Sequence, residues 1–274
     1  MSAGDTPFSN NSRTAQVLDQ FGIPVQQVNR KVLANGDYAP QAAGAIAAGD
    51  NPVFSINGTN AADADGTLDT TGYIQLNSSA GGTADDEVVM LLNSNVQKWT
   101  PTVADEPALF ARIKTDADDA TEVQYGIGIG SDDDGDAAFD GGDGELDPNA
   151  ATAADTYLGF TFDTDDSDTN WQIDIIDDGG TVVTADTGVK FEADTVYQMM
   201  VGVDALNRPY FLIQKEGEAA RSITFTEPFV FGGADFSDGL TGTTNVVGPF
   251  LGVSNLTTAV RDLFVHSAAF SAKL

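Results

Sequence analysis

The densest chemistry in this chain is acidic. Asp132, Asp134, Asp136, Asp140, Asp143 and Asp147 crowd one glycine-rich stretch, Ser131-Asp-Asp-Asp-Gly-Asp-Ala-Ala-Phe-Asp-Gly-Gly-Asp-Gly-Glu-Leu-Asp147. Ca²⁺ takes hard carboxylate oxygens at such density, and glycines supply the sharp turns its loops need. The spacing departs from the EF-hand loop. With Asp132 first, the sixth position is Ala137 in place of glycine and the twelfth is Asp143 in place of glutamate. The stretch Asp63-Ala-Asp-Gly-Thr-Leu-Asp69 departs in the same way, since its first ligand would be Ala61. The reading is a solvated acidic loop, with loose Ca²⁺ binding in concentrated divalent salt left open and no other cofactor expected.

Other patterns point to chemistries that the chain then withholds. Trp171-Gln-Ile-Asp-Ile-Ile-Asp177 has the strand alternation on which sandwich β-glucanases carry Glu-x-Asp-x-Glu, but here that face reads Gln172, Asp174, Ile176. Retaining glycoside hydrolysis needs two carboxyl groups about 5 Å apart, and a lone Asp174 supplies one. His266, the only histidine, shares a strand face with Asp262, but no Gly-x-Ser-x-Gly elbow provides a nucleophile. Tyr125-Gly-Ile-Gly-Ile-Gly130 places its glycines on one strand face and runs into aspartates, which rules out a phosphate-cradling turn. It reads as Tyr125, Ile127 and Ile129 facing a core, with glycines admitting a close neighbour. Trp99, Trp171, Tyr73, Tyr125, Tyr157 and Tyr210 are either a sugar-stacking platform or core filling. No catalytic residue is assigned, and the chain is expected not to be an enzyme.

Composition narrows the partners. Across 274 residues there are 42 acids and 12 bases, a formal charge of −30. Such a charge repels nucleic acid and anionic membranes, and its self-repulsion destabilises the compact state unless salt screens it. Between Lys114 and Lys190 no base occurs. Cysteine is absent, which excludes disulfides and thiolate metal sites. The segment Met1-Ser-Ala-Gly-Asp-Thr shows neither a basic nor an apolar signal region, and no signal peptide is expected.

The elements that must position these groups are strands. Period-2 alternation recurs over 71–77, 108–114, 121–130, 156–163, 170–176, 195–204 and 208–215, separated by Asp- and Gly-rich turns. Two further strands follow, around Gly248-Pro-Phe-Leu-Gly-Val-Ser254 and Leu263-Phe-Val-His-Ser-Ala-Ala-Phe270. In the second, Ala259, Arg261, Leu263, Val265 and Ser267 share one face, and Val260, Asp262, Phe264, His266 and Ala268 share the other. The fold class is all-β, an antiparallel β-sandwich or jelly roll. Residues 1–50 differ from the rest. They hold four acids and three bases, a net of −1, which leaves −29 for 51–274. A short helix over 12–21 is expected, stopped by Gly22 and Pro24. Residues 1–50 therefore read as an extended partner-binding arm, with Val17, Leu18, Phe21, Val25, Val28, Arg30 and Lys31 as its contacts, and 51–274 as the sandwich domain. Deleting the arm is expected to leave a folded sandwich.

Strand order adds a resemblance. Ala108-Leu-Phe-Ala-Arg-Ile-Lys114, Val123-Gln-Tyr-Gly-Ile-Gly-Ile129, Tyr157-Leu-Gly-Phe-Thr-Phe162, Trp171-Gln-Ile-Asp-Ile175, Val196-Tyr-Gln-Met-Met-Val-Gly-Val203, Arg208-Pro-Tyr-Phe-Leu-Ile213, Gly248-Pro-Phe-Leu-Gly-Val253 and Leu263-Phe-Val-His266 together resemble concanavalin A-like lectin/glucanase sandwiches. The pattern covers about residues 85–274 and looks most like the variants that coat the capsids of tailed bacteriophages. That resemblance implies a non-enzymatic virion structural protein, a capsid decoration or cement protein. It would bind the major capsid protein on the outer surface of the particle, and bind itself if homo-oligomeric. The alternative is a carbohydrate-binding or adhesin domain, extracellular, with a glycan as partner. Legume-lectin metal and sugar residues do not map onto this sequence.

Overall fold

The computed structural model describes residues 30–35, 44–46, 54–57, 65–68, 74–78, 86–92, 106–117, 123–131, 157–164, 167–176, 182–204, 206, 208–226, 247–255 and 259–273. Within them the chain is all strand and turn. The strands are β1 (Arg30–Asn35), β2 (Gly44–Ile46), β3 (Phe54–Asn57), β4 (Asp65–Leu68), β5 (Ile74–Asn77), β6 (Asp86–Leu92), β7 (Ala108–Thr115), β8 (Val123–Ser131), β9 (Tyr157–Asp163), β10 (Asn170–Ile176), β11 (Val182–Lys190), β12 (Val196–Val203), β13 (Pro209–Lys215), β14 (Arg221–Thr224), β15 (Val247–Asn255) and β16 (Asp262–Lys273).

They form two antiparallel sheets. A nine-stranded sheet runs β14-β13-β12-β7-β16-β5-β4-β2, with β1 also on β16, and a seven-stranded sheet runs β11-β10-β9-β8-β15-β6-β3. Alternation decides what each sheet buries. Val123, Tyr125, Ile127 and Ile129 of β8, Leu158, Phe160 and Phe162 of β9, and Trp171, Ile173 and Ile175 of β10 enter one core. From the other sheet Leu109, Ala111, Ile113, Tyr197, Met199, Val201, Phe211, Ile213, Leu263 and Val265 meet them. Full burial of side chains this size contributes about 1.5–3 kcal/mol each before entropy is subtracted. Aromatic contact adds specificity, as where Phe162 and Phe191 stack with centroids 3.8 Å apart. The Tyr125 hydroxyl ties the sheets together, donating to the Asp262 carbonyl at 3.1 Å and accepting from the Asp116 amide at 3.2 Å.

One expectation is corrected. In β16 the register against β7 slips between Val265 and Ser267. This bulge inserts His266 and flips the alternation, so Ala268 and Phe270 join Leu263 and Val265 in the core. Ala268 therefore does not share the face of Phe264. Strand pairing also crosses residue 50. β1 pairs with β16, Arg30 opposite Lys273 and Lys31 opposite Ala272, and β2 pairs with β4. Pairing follows backbone hydrogen bonds and register, which net charge does not govern. The helix over 12–21, and with it Val17, Leu18, Phe21, Val25 and Val28, lies outside the described residues.

Candidate functional site

The outer face of the seven-stranded sheet collects the polar groups that the inner face excludes. Because β9 and β10 alternate strictly, Tyr157, Gly159 and Thr161 point outward together with Gln172 and Asp174. Register then fixes their neighbours. Gly128 lies opposite Gly159, Gly159 opposite Asp174, and Asp174 opposite Thr184. The Tyr157 ring crosses this row and needs a neighbour without a side chain. A Cβ on Gly128 would stand 2.6 Å from Tyr157 Cε2 and 2.6 Å from the Leu158 carbonyl oxygen. The close approach expected of the Tyr125–Gly130 glycines is thus realised at Gly128.

Asp174 is only 4% exposed, yet it faces away from the apolar core. Two hydroxyls stabilise its carboxylate. Thr161 Oγ1 donates to Oδ2, and Thr184 Oγ1 donates to Oδ1 at 2.6 Å. The Tyr157 hydroxyl donates to the Phe160 carbonyl at 2.9 Å. Burial pushes that phenol well above its ordinary range, and the Asp174 charge adds to the shift. On β10 the residue two before Asp174 is Gln172, an amide. The strand therefore lacks the paired carboxyls that retaining glycoside hydrolysis requires.

Toward the β10–β11 edge the same face opens to solvent. Asn170 Nδ2 donates to both oxygens of Asp186, at 3.1 and 3.0 Å. The Gly188 amide donates to Asp186 Oδ1 at 2.5 Å, and Gln172 Nε2 donates to the Asn170 carbonyl at 3.1 Å. Gly188 has φ 65°, a left-handed conformation that side chains resist, and this turns its amide onto Asp186. The result is an exposed carboxylate held in one orientation between two amides. Sequence reading singled out Gln172 and Asp174 and passed over Asn170 and Asp186. The available signal was Asp186-Thr-Gly188, a turn triplet inside a strand.

Other expected residues sit elsewhere. Trp171 and Tyr125 are fully buried beside Phe191 and Phe162, so they fill the core and form no platform. Tyr210 lies on the nine-stranded sheet, while Tyr73 and Trp99 fall outside the described residues. The Asp262 carboxylate accepts from the side-chain amides of Gln75, Nε2 at 2.8 Å, and Asn77, Nδ2 at 2.7 Å. Asp132, Asp134, Asp136, Asp140, Asp143 and Asp147 lie outside the described residues. Among the described residues no group of three or more His, Asp or Glu side chains converges to hold a metal ion.

No protein-family model matches the chain, and no curated protein matches it in sequence. Solved structures do match in fold. A protein of unknown function from Shewanella oneidensis MR-1 superposes with TM-score 0.53 and 13% identity, over 90% of this chain and 87% of the other. The winged bean acidic lectin complexed with methyl-α-D-galactose gives 0.55 and 9%, over 89% and 98%. Lectin I from Ulex europaeus, in complex with the methyl glycoside of α-L-fucose, gives 0.53 and 11%, over 89% and 98%. The fold is therefore an all-β antiparallel sandwich of the concanavalin A-like, legume-lectin kind.

Proposed function

We propose that this chain is a non-enzymatic carbohydrate-binding sandwich that uses the exposed β10–β11 edge of its seven-stranded sheet. The observation that carries this reading is the Asn170–Asp186–Gly188 arrangement beside Gln172. A sugar ring offers vicinal hydroxyls, each both donor and acceptor. A carboxylate fixed between amides accepts from one hydroxyl while a neighbouring amide serves the next, at little ordering cost. The fold likeness to sugar-bound lectins supports the same reading. The capsid-decoration reading, with the major capsid protein as partner and the virion surface as location, rests on strand pattern and charge split alone, so glycan binding is the function carried forward. On this reading the protein works outside the cell or on the surface of a particle.

The test is a glycan array followed by titration calorimetry on the best ligand. Binding is expected, weakened about tenfold or more in Asp186→Ala and in Asn170→Ala, consistent with loss of a charge-assisted hydrogen bond. An array without a hit, or affinity untouched by both substitutions, overturns it.

A further inference from the structure

In a chain with 42 acids and 12 bases, a base readily finds a carboxylate to hold. Among the described side chains Arg112 pairs with Glu216 at 3.7 Å, Lys114 with Asp194, and Arg208 with Asp204 at 2.7 Å. Lys215 holds both Glu192 and Glu218 at 2.9 Å, and Arg261 is buried. Lys190 and Arg221 depart from this pattern. Both are exposed, and neither forms an ion pair among the described residues.

Both also stand at the amide-held Asp186. Lys190 lies opposite Asn170 in the pairing of β10 with β11, and Asn170 is the residue whose amide donates to Asp186. Glu192, two positions on, gives its carboxylate to Lys215. Arg221 arrives from β14 of the other sheet. Its Nη1 donates to the Thr187 carbonyl at 3.4 Å, and a Cβ on Gly188 would stand 2.5 Å from that same nitrogen. The guanidinium therefore packs on the backbone of Gly188, whose amide holds Asp186. Its other N–H donors have no partner among the described residues. A planar fork with free donors takes a carboxylate or a sulfate through paired hydrogen bonds, while an ammonium acts as a point charge.

Two cations thus flank one fixed carboxylate, in a molecule whose total charge is −30. A neutral sugar would use the carboxylate and the amides but neither cation. We propose that the sugar taken at the β10–β11 edge is anionic: ring hydroxyls donate to Asp186, and a carboxylate or sulfate on the same sugar is received by Lys190 or Arg221. This rests on the glycan reading of the site and narrows it to one ligand class. At about 0.15 M salt the screening length is about 8 Å, so distant acids are muted while cations in contact with the ligand are not.

The experiment is titration calorimetry of the full chain at about 0.15 M NaCl. The ligands are the methyl glycosides of glucose, galactose and mannose, each also as its uronate and its 6-sulfate. An anionic form is expected to bind about tenfold tighter than its neutral parent, and uronate against sulfate shows which anion fits. Lys190→Gln and Arg221→Gln are each expected to cut that ratio about threefold or more, with circular dichroism confirming the fold. Arg221→Lys keeps the charge and is expected to keep most of the preference. Arg208→Gln removes a cation held by Asp204 in the turn between β12 and β13, and is expected to leave the ratio unchanged. Neutral and anionic forms bound alike overturn the proposal and leave the glycan reading standing. Failure of every one of these sugars to bind overturns it as well, and the glycan array then judges that reading by itself. A ratio lowered as much by Arg208→Gln as by the other two reports net charge alone and overturns the assignment to Lys190 and Arg221.

Discussion

At the scale of single residues, Gly128 and Asp174 show how one face is built. Gly128 lets the Tyr157 ring and the Leu158 carbonyl approach; an added methyl has nowhere to go, because two of the three nearest obstacles, the Leu158 carbonyl oxygen and Gly159 Cα, are backbone. Gly128→Ala is therefore expected to lower stability by about 1–3 kcal/mol, read as a shifted urea midpoint at unchanged slope. Wild-type stability in that variant would mean that Tyr157 moves aside freely. The sequence marked Gly128 as a close-approach position because it alternates with Tyr125, Ile127 and Ile129. It did not mark Asp174 as buried, because a period-2 pattern separates inward from outward but does not report what covers the outward side. The Asn170–Asp186 pair was still less legible. Its members stand on different strands, and they become neighbours only through the pairing of β10 with β11, in which Gln172 lies opposite Asp186.

At the scale of elements, the strand pairing of β1 and β2 changes what a truncation does. Removing residues 1–50 takes both strands from the nine-stranded sheet and leaves the β16 and β4 edges they covered unpaired. The shortened chain is expected to melt lower than the full chain and to scatter more light on heating, since bare edges template aggregation. An unchanged melting curve would favour residues 1–50 as an arm independent of the sandwich. The central strands were read nearly to the residue. The stretch 170–176 is β10 itself, 108–114 became Ala108–Thr115, and 208–215 became Pro209–Lys215. The edge strands β11 and β14 escaped, because β14 buries no side chain fully and β11 puts Thr187 at a buried position where an apolar residue would have marked the inward face.

At the scale of the whole molecule, charge dominates. The stretch between Lys114 and Lys190 holds 21 acids and no base, and like charges so placed repel one another. Such repulsion is screened over about 10 Å at 0.1 M salt and about 3 Å at 1 M. Thermal stability is expected to rise from low salt to about 1 M NaCl, followed by scanning calorimetry. Millimolar Ca²⁺ added at high NaCl separates two cases. Further stabilisation by mass action reports a true site in residues 131–147, and its absence reports screening alone. A melting temperature indifferent to both salts would mean the acids stand too far apart to interact.

The sequence by itself determined the all-β class, the positions of the central strands, the inward residues of β8, β9 and β10, and the missing carboxyls on β10. All of these follow from local alternation, which a two-faced sheet imposes on every strand that has a core to bury. Only the tertiary structure decided that β15 and β16, neighbours in sequence, stand in opposite sheets. It alone decided that a bulge at His266 turns Ala268 and Phe270 inward, and that Asn170, Asp186 and Gly188 meet on one exposed edge. Those outcomes depend on register and on which strands pair, and pairing is settled by contacts between residues far apart in the chain.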